Sequence, residues 1–337
     1  MPTYYVDGAV GNNENLGTSE GAGNAWATIS YAVSQVSAGD QVWVKGGTDY
    51  TETTARPVGL SSAWITFSGY TTTPGDGGKA TIDATGETYG ISAIGPPISV
   101  YARWENIIIE NATSYGASCG NDGYDAWINC EFNNNGGGGV LGNKTTFVGC
   151  SATGNTGIGI STGYGSVVNC VSSGNSTDGV KSNAVFGCEL ISNAGIAIQG
   201  TNFCPAFCCN TIDGDNDDTT IGIQTISYQN SIMINNIIYD CATGISVATN
   251  SSGHEVSNNL LYANATNFTN IPAEHDNLTT DAPAFTDEAG GDYTLASGSA
   301  ARNAGADASG TSSPGMDIGA HQSADAGGGG SRVIITG

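Results

Sequence analysis

Four cysteines recur at a nearly constant interval: Cys130, Cys150, Cys170 and Cys188, separated by 20, 20 and 18 residues. Each closes a matching block, Trp127-Ile128-Asn129-Cys130, Phe147-Val148-Gly149-Cys150, Val167-Val168-Asn169-Cys170 and Val185-Phe186-Gly187-Cys188. An Asn/Gly-rich bend and a second short apolar strand follow each block, at Gly139-Val140-Leu141, Gly157-Ile158-Gly159-Ile160, Gly179-Val180 and Gly195-Ile196-Ala197-Ile198. Further second strands stand at Gly222-Ile223 and Gly244-Ile245-Ser246-Val247. A related first block recurs at Trp104–Ile108, Asn235–Tyr239 and Asn258–Tyr262.

A period of about 20 residues, made of short alternating strands and Gly/Asn turns, marks a solenoid whose stacked coils share one core. Helical repeats are longer and carry Ala/Leu/Glu/Lys periodicity, and leucine-rich repeats need a ladder of Leu; neither pattern is present. What remains is an all-β chain wound as a parallel β-helix, each coil of two or three strands lying ~4.8 Å above the last. Ile, Val and Cys form the inward columns. Asn and Gly take the bends because they tolerate positive φ, and stacked Asn side chains can bond along the axis. Periodic cysteines in such columns read as small buried hydrophobes, not as a disulfide framework.

The flanks depart from the repeat. Trp26, Ile29, Ala32, Val33 and Val36 fit one face of a helix over 25–36. Gly39-Asp40 ends it, and Gln41–Lys45 reads as a strand. A short capping helix would cover the exposed core and open strand edges at the first coil. The expected organisation is an N-terminal cap and first coil over 1–60, coils over 61–275, a closing C-terminal cap over 276–325, and a Gly-rich tether with a terminal strand over 326–337. Arg332, Val333, Ile334 and Ile335 in that strand are either a frayed tail or a strand donated to a neighbouring subunit.

Charge narrows the function. Lys and Arg number 8 against 31 Asp and Glu, for a net charge of −23, and the basic residues are dispersed. Partners rich in phosphate need basic clusters, which excludes nucleic acid and disfavours an anionic membrane surface. No run approaches the ~20 apolar residues of a membrane span. The opening MPTYYVDGAV lacks the basic and apolar regions of a secretory signal.

The phrase TYYVDG…WATISYAVSQVSAGDQVWVKGGTDYTE and the phrase DAPAFTDEAGGDYTLASGSAARNAG…MDIGAHQ, with the coils between them, resemble the right-handed parallel β-helix, or pectate-lyase-like, superfamily. The second phrase is similar to the closing segment of bacterial and phage β-helix proteins. The resemblance covers about residues 3–323 and implies fold more than function, since this architecture hosts lyases, hydrolases, adhesins and phage fibres. For a lyase it implies Ca²⁺ on carboxylates and a basic residue that takes a proton. Arg103, Lys144 and Lys181 are the basic residues near the coils, and no Arg stands beside an acidic cluster in the sequence. For a glycoside hydrolase it implies an Asn-Thr-Asp element, an Asp-Asp pair one coil later, Gly-His-Gly and Arg-Ile-Lys. Asn210-Thr211-Ile212-Asp213 and Asp217-Asp218 echo the first two, at the wrong separation, and the others are missing.

Asp213, Asp217 and Asp218 are therefore the candidate catalytic carboxylates, and Asp213, Asp215, Asp217 and Asp218 the candidate Ca²⁺ ligands, set against a solvated acidic bend. Cys204, Cys208 and Cys209 lack a neighbouring base and read as core packing. Tyr115, Tyr124, Tyr164 and Tyr228 either stack on sugars or pack laterally. With the catalytic sets incomplete, the sequence favours a structural or binding role: a virion decoration or fibre component, homotrimeric and built into a capsid or tail, made in a host cytoplasm, with no cofactor beyond calcium. The alternatives are a secreted or surface protein that binds or degrades polysaccharide, and a self-assembling extracellular filament.

Overall fold

The computed structural model describes residues 2–55, 57, 63–92, 101–120, 124–201, 204–226, 230–248, 253–271, 274–306 and 316–323. The terminal strand at 332–335 lies outside them. The chain divides into two compact units, Met1–Gly165 and Ser166–Gly337. No helix is long and apolar enough to cross a membrane.

Each unit is a stack of parallel coils. In the first, strands Thr3–Asp7, Gln41–Lys45, Ile65–Tyr70, Tyr101–Glu105, Tyr124–Ile128 and Thr146–Val148 pair in that order. In the second, Ser166–Val168, Ala184–Phe186, Ala206–Cys208, Ile232–Ile234 and Glu255–Ser257 do the same. A coil has three strands: one in this sheet, then, after two residues of which the first bends the chain, a second such as Glu131–Asn133, then a third such as Val140–Gly142. Alternation sends every second residue inward. The register stacks Val42, Phe67, Trp104, Trp127 and Phe147 in the first unit, and Val167, Val185, Phe207, Met233 and Val256 in the second. All ten are buried. Phe67, Trp104 and Trp127 lie face to face, with centroids 4.5 and 5.5 Å apart.

The bend residue explains the Asn-Cys and Gly-Cys pairs. Asn129, Gly149, Asn169 and Gly187 all have φ between 51° and 63°, which Asn and Gly adopt most readily. The next residue turns inward and stitches its coil to the preceding one. In the first unit Cys150 Sγ donates to the Trp127 carbonyl at 3.3 Å, and Cys130 Sγ to the Trp104 carbonyl at 3.4 Å. In the second unit the stitch changes chemistry. Cys188 Sγ donates to the Val167 carbonyl, and Cys188 N–H in turn donates to Asn210 Oδ1. From there the column is amide: Asn210, Asn236 and Asn259 each donate Nδ2 to the next side-chain carbonyl oxygen at 2.9–3.0 Å, ending on Asn277. All nine cysteines are free thiols.

The helix is shorter than the apolar stripe, spanning Ile29–Gln35. Thr28 caps it by accepting from Tyr31 N–H, and Glu52 accepts from Ile29 and Ser30 N–H. Trp26 is withheld because its backbone bridges the first strand, bonding Tyr5 and Asp7. At the other end the closing segment runs along the side of the second unit's coils. Gly319 N–H donates to the Asn235 carbonyl, Ala320 N–H to Thr211 Oγ1, and Tyr293, Leu295, Ala301 and Ile318 pack against Ile237, Tyr239 and Leu260.

The two kinds of stitch differ in strength because a thiol is a weaker donor than an amide. Asn236→Ala leaves Asn210 N–H, the Phe207 carbonyl and Asn259 Oδ1 each short of a partner. Its cost is about 1–3 kcal/mol for a buried polar group so stranded. Cys188→Ala costs less. Denaturant midpoints of the two variants, compared with the parent chain, check the order.

Candidate functional site

Asp213 lies on strand Thr211–Thr225, in register with Ile191 of the coil before and Tyr239 of the coil after. The acidic stretch is therefore not a solvated bend at its start. Asp213 faces outward from the coil yet is buried, because the closing segment covers it. Tyr293 Oη donates to its Oδ2 at 2.8 Å, and Asp215 N–H donates to its Oδ1 at 2.8 Å. Asp215 accepts from Ser192 Oγ at 3.2 Å. A second tie holds the same segment: His321 Nε2 lies 2.9 Å from Glu189 Oε1. Both oxygens of Asp213 are thus committed to the fold. The side chains of Asp217 and Asp218 lie outside the described part, although the backbone places Asp217 opposite Cys241. Among the described residues, no three His, Cys, Asp or Glu side chains gather as metal ligands would.

Negative charge accumulates around Asp213. Burial first, then Asp213 and Asp215, raise the Asp240 carboxyl above the ordinary range. Burial and the Asp213 charge do the same to Glu288. Burial and Asp213 also push the Tyr239 and Tyr293 hydroxyls far up, so both stay protonated, and Tyr293 donates its proton to Asp213. Asp213 and Glu189 thus clamp the closing segment onto the coils.

A different feature stands in the open. In the first unit, Trp64, Tyr101 and Tyr124 occupy one register position on successive coils, each one residue before an inward side chain. Trp64 is 40% and Tyr124 41% exposed. Trp64 meets Tyr101 edge-on at 5.2 Å, and Tyr101 stacks on Tyr124 at 5.3 Å. One coil on, Lys144 Nζ sits over the Tyr124 ring, 5.3 Å from its centroid. Beyond it Tyr164 is 64% exposed, its N–H donating to the Asn143 carbonyl. Arg103 projects from the same sheet face and pairs with Glu105 at 2.5 Å. Tyr124 and Tyr164 carried a signal in the sequence. Trp64 and Tyr101 did not, because the coils between these positions are unequal in length and hide the register. Tyr115 is half-buried, with its ring packed against the Gly138 backbone, and Tyr228 lies outside the described residues.

No protein-family model matches the chain, and no curated protein matches it in sequence. Solved structures do match in shape. The pectate lyase Pel9A superposes with a TM-score of 0.59 at 17% identity, over 95% of this chain and 96% of its own. A rhamnogalacturonan lyase gives 0.54 at 14%, over 83% and 85%. The lacto-N-biosidase of glycoside hydrolase family 136 from Eubacterium ramulus gives 0.50 at 11%, over 82% and 68%. The chain thus shares the parallel β-helix fold of these structures, as the coil register already shows.

The charge around Asp213 has a measurable consequence. A carboxyl whose value is raised in the fold binds its proton more tightly there than when unfolded, so its contribution to stability falls as pH rises through that range. Asp240→Asn removes one of the repelling charges, and Asn suits the positive φ of 55° at this position. Thermal unfolding midpoints are expected to be higher for Asp240→Asn than for the parent at pH 7, with the gap narrowing as pH falls toward 4.

Proposed function

We propose that this chain is a polysaccharide-recognising β-helix that works outside the cell or at its surface and seats a glycan along the aromatic column of its first unit. The column Trp64–Tyr101–Tyr124 carries the reading. Large apolar side chains left exposed in a contiguous row mark an interaction surface. Ring faces and edges meet the C–H faces of sugars, while the tyrosine hydroxyls supply directional hydrogen bonds. Lys144 and Arg103 add cations beside the column, which suits hydroxyl and carboxylate groups of a glycan. The structural neighbours support the same substrate class, being by name two polysaccharide lyases and a lacto-N-biosidase.

The reading is one of binding. The carboxylates described near the echo of the hydrolase motif are engaged, Asp213 by Tyr293 and Asp215 by Ser192. The assembly role expected from the sequence drew in part on the terminal strand at 332–335, which lies outside the described residues, and the neighbours lean toward glycan chemistry instead.

A panel of neutral and uronic-acid polysaccharides, immobilised and probed with the whole chain, tests the proposal. Binding to at least one glycan is expected. Trp64→Ala or Tyr124→Ala should weaken it about tenfold or more, the usual penalty for truncating a central aromatic anchor. Binding unchanged in both variants, or no binding across the panel, would overturn it. Reducing-sugar release or a rise in ultraviolet absorbance from unsaturated product would replace recognition by catalysis.

A further inference from the structure

Cys208 and Cys209 stand apart from the cysteine columns. Cys208 ends strand Ala206–Cys208 on its outward side, half-buried, and Cys209 occupies the bend position with φ 57°. Other coils of the second unit place Gly187, Asn235 and Asn258 in that bend with the same left-handed backbone. The inward stitch belongs to the following residue, Asn210. Neither thiol is therefore needed to hold coil to coil. Yet the two sulfurs lie 3.1 Å apart, within hydrogen-bonding distance of each other. The bend turns two adjacent side chains to the same side, which an extended strand would send to opposite sides.

We propose that Cys208 and Cys209 form a reversible dithiol–vicinal disulfide couple, a thiol-modification site on the flank of the second unit. The oxidant is a small-molecule disulfide such as oxidised glutathione. The Cys208 thiolate, the more accessible of the two, attacks one of its sulfurs, forms a mixed disulfide and releases one glutathione thiolate. The Cys209 thiolate then attacks the Cys208 sulfur and expels the second glutathione. Two protein thiols become one S–S bond, the oxidant becomes two thiols, and the two protons pass to the glutathione thiolates. In the resting pair the shared hydrogen bond pushes the Cys208 thiol up, so its attack needs that proton removed, and holds the Cys209 thiol below its ordinary value. Once Cys208 is in the mixed disulfide that bond is gone, and the Asn235 side chain still favours the Cys209 thiolate. Adjacent Cα atoms stand ~3.8 Å apart, shorter than the ~4.4–6.8 Å a disulfide usually spans, so the bond is strained and easily reduced. The position matters because Asn235, beside Cys209, also binds Ala306 of the closing segment through both side-chain atoms.

The whole reduced chain is incubated with oxidised glutathione, quenched with an alkylating agent and mapped by peptide mass spectrometry. The peptide holding 208 and 209 is expected to lose two hydrogens and to escape alkylation at both sulfurs until reductant is added. Cys209→Ser cannot resolve the intermediate and should retain a glutathione adduct on Cys208. In the reduced parent chain, phenylarsine oxide should bridge the pair, releasing water, and this adduct should be absent from Cys208→Ser. A stable glutathione adduct on Cys208 of the parent chain, or two sulfurs that stay alkylatable and take no arsenical, would overturn the proposal.

Discussion

The structure depends on a buried side chain that reaches from one coil to the carbonyl of the coil before it. A parallel coil has no local way to close its strand edges, so its backbone pairing is satisfied only by its neighbours. The bend between strands is the weak point, because there the chain turns and its polar groups point inward. In the second unit Asn236 covers that point completely: its amide donates to Phe207 and Asn259, while its oxygen accepts from Asn210 N–H. In the first unit Cys130 and Cys150 do the same work with one weak donor each. Each such bond is worth about 1 kcal/mol net, and far more is lost if one partner is removed and the other left buried. A second column repeats the device at the next turn: Asn135 donates to Asn155 in the first unit, and Asn175 to Asn193 in the second.

With the interior closed in this way, the outward positions are free to vary. The same pleat that buries Ala102 and Trp104 exposes Tyr101 and Arg103. The same pleat that buries Ile212 turns Thr211 and Asp213 outward, where the closing segment covers them. The two outer surfaces are used differently. In the second unit the closing segment occupies one, held there by Asp213 and Glu189. In the first unit the aromatic column remains open, which is why the functional reading rests there.

Much of this was legible in the sequence, for a physical reason. An inward column demands one residue type at one interval, and the left-handed bend before it demands Asn or Gly. Together they write Asn-Cys and Gly-Cys about every 20 residues. The continuation was harder to read because Asn210, Asn236 and Asn259 replace thiol by amide at the same place and so break the pattern of letters while keeping the bond. The acidic stretch misled for another reason. Asp213 is solvated or buried according to whether Tyr293, 80 residues away, comes to lie on it. The aromatic column was half visible, since Tyr124 and Tyr164 flank Lys144 at even intervals. Trp64 and Tyr101 join only through strand pairing across coils of unequal length.

The central claim is that stacked inward amides hold the coils of the second unit together. Hydrogen exchange of the side-chain amides of Asn210, Asn236 and Asn259, followed by nuclear magnetic resonance, tests it most directly. These NH₂ groups should exchange only as fast as the unit itself opens, alongside the backbone amides of Phe207 and Met233. Exchange at the rate of a surface asparagine, with those backbone amides still protected, would contradict the account.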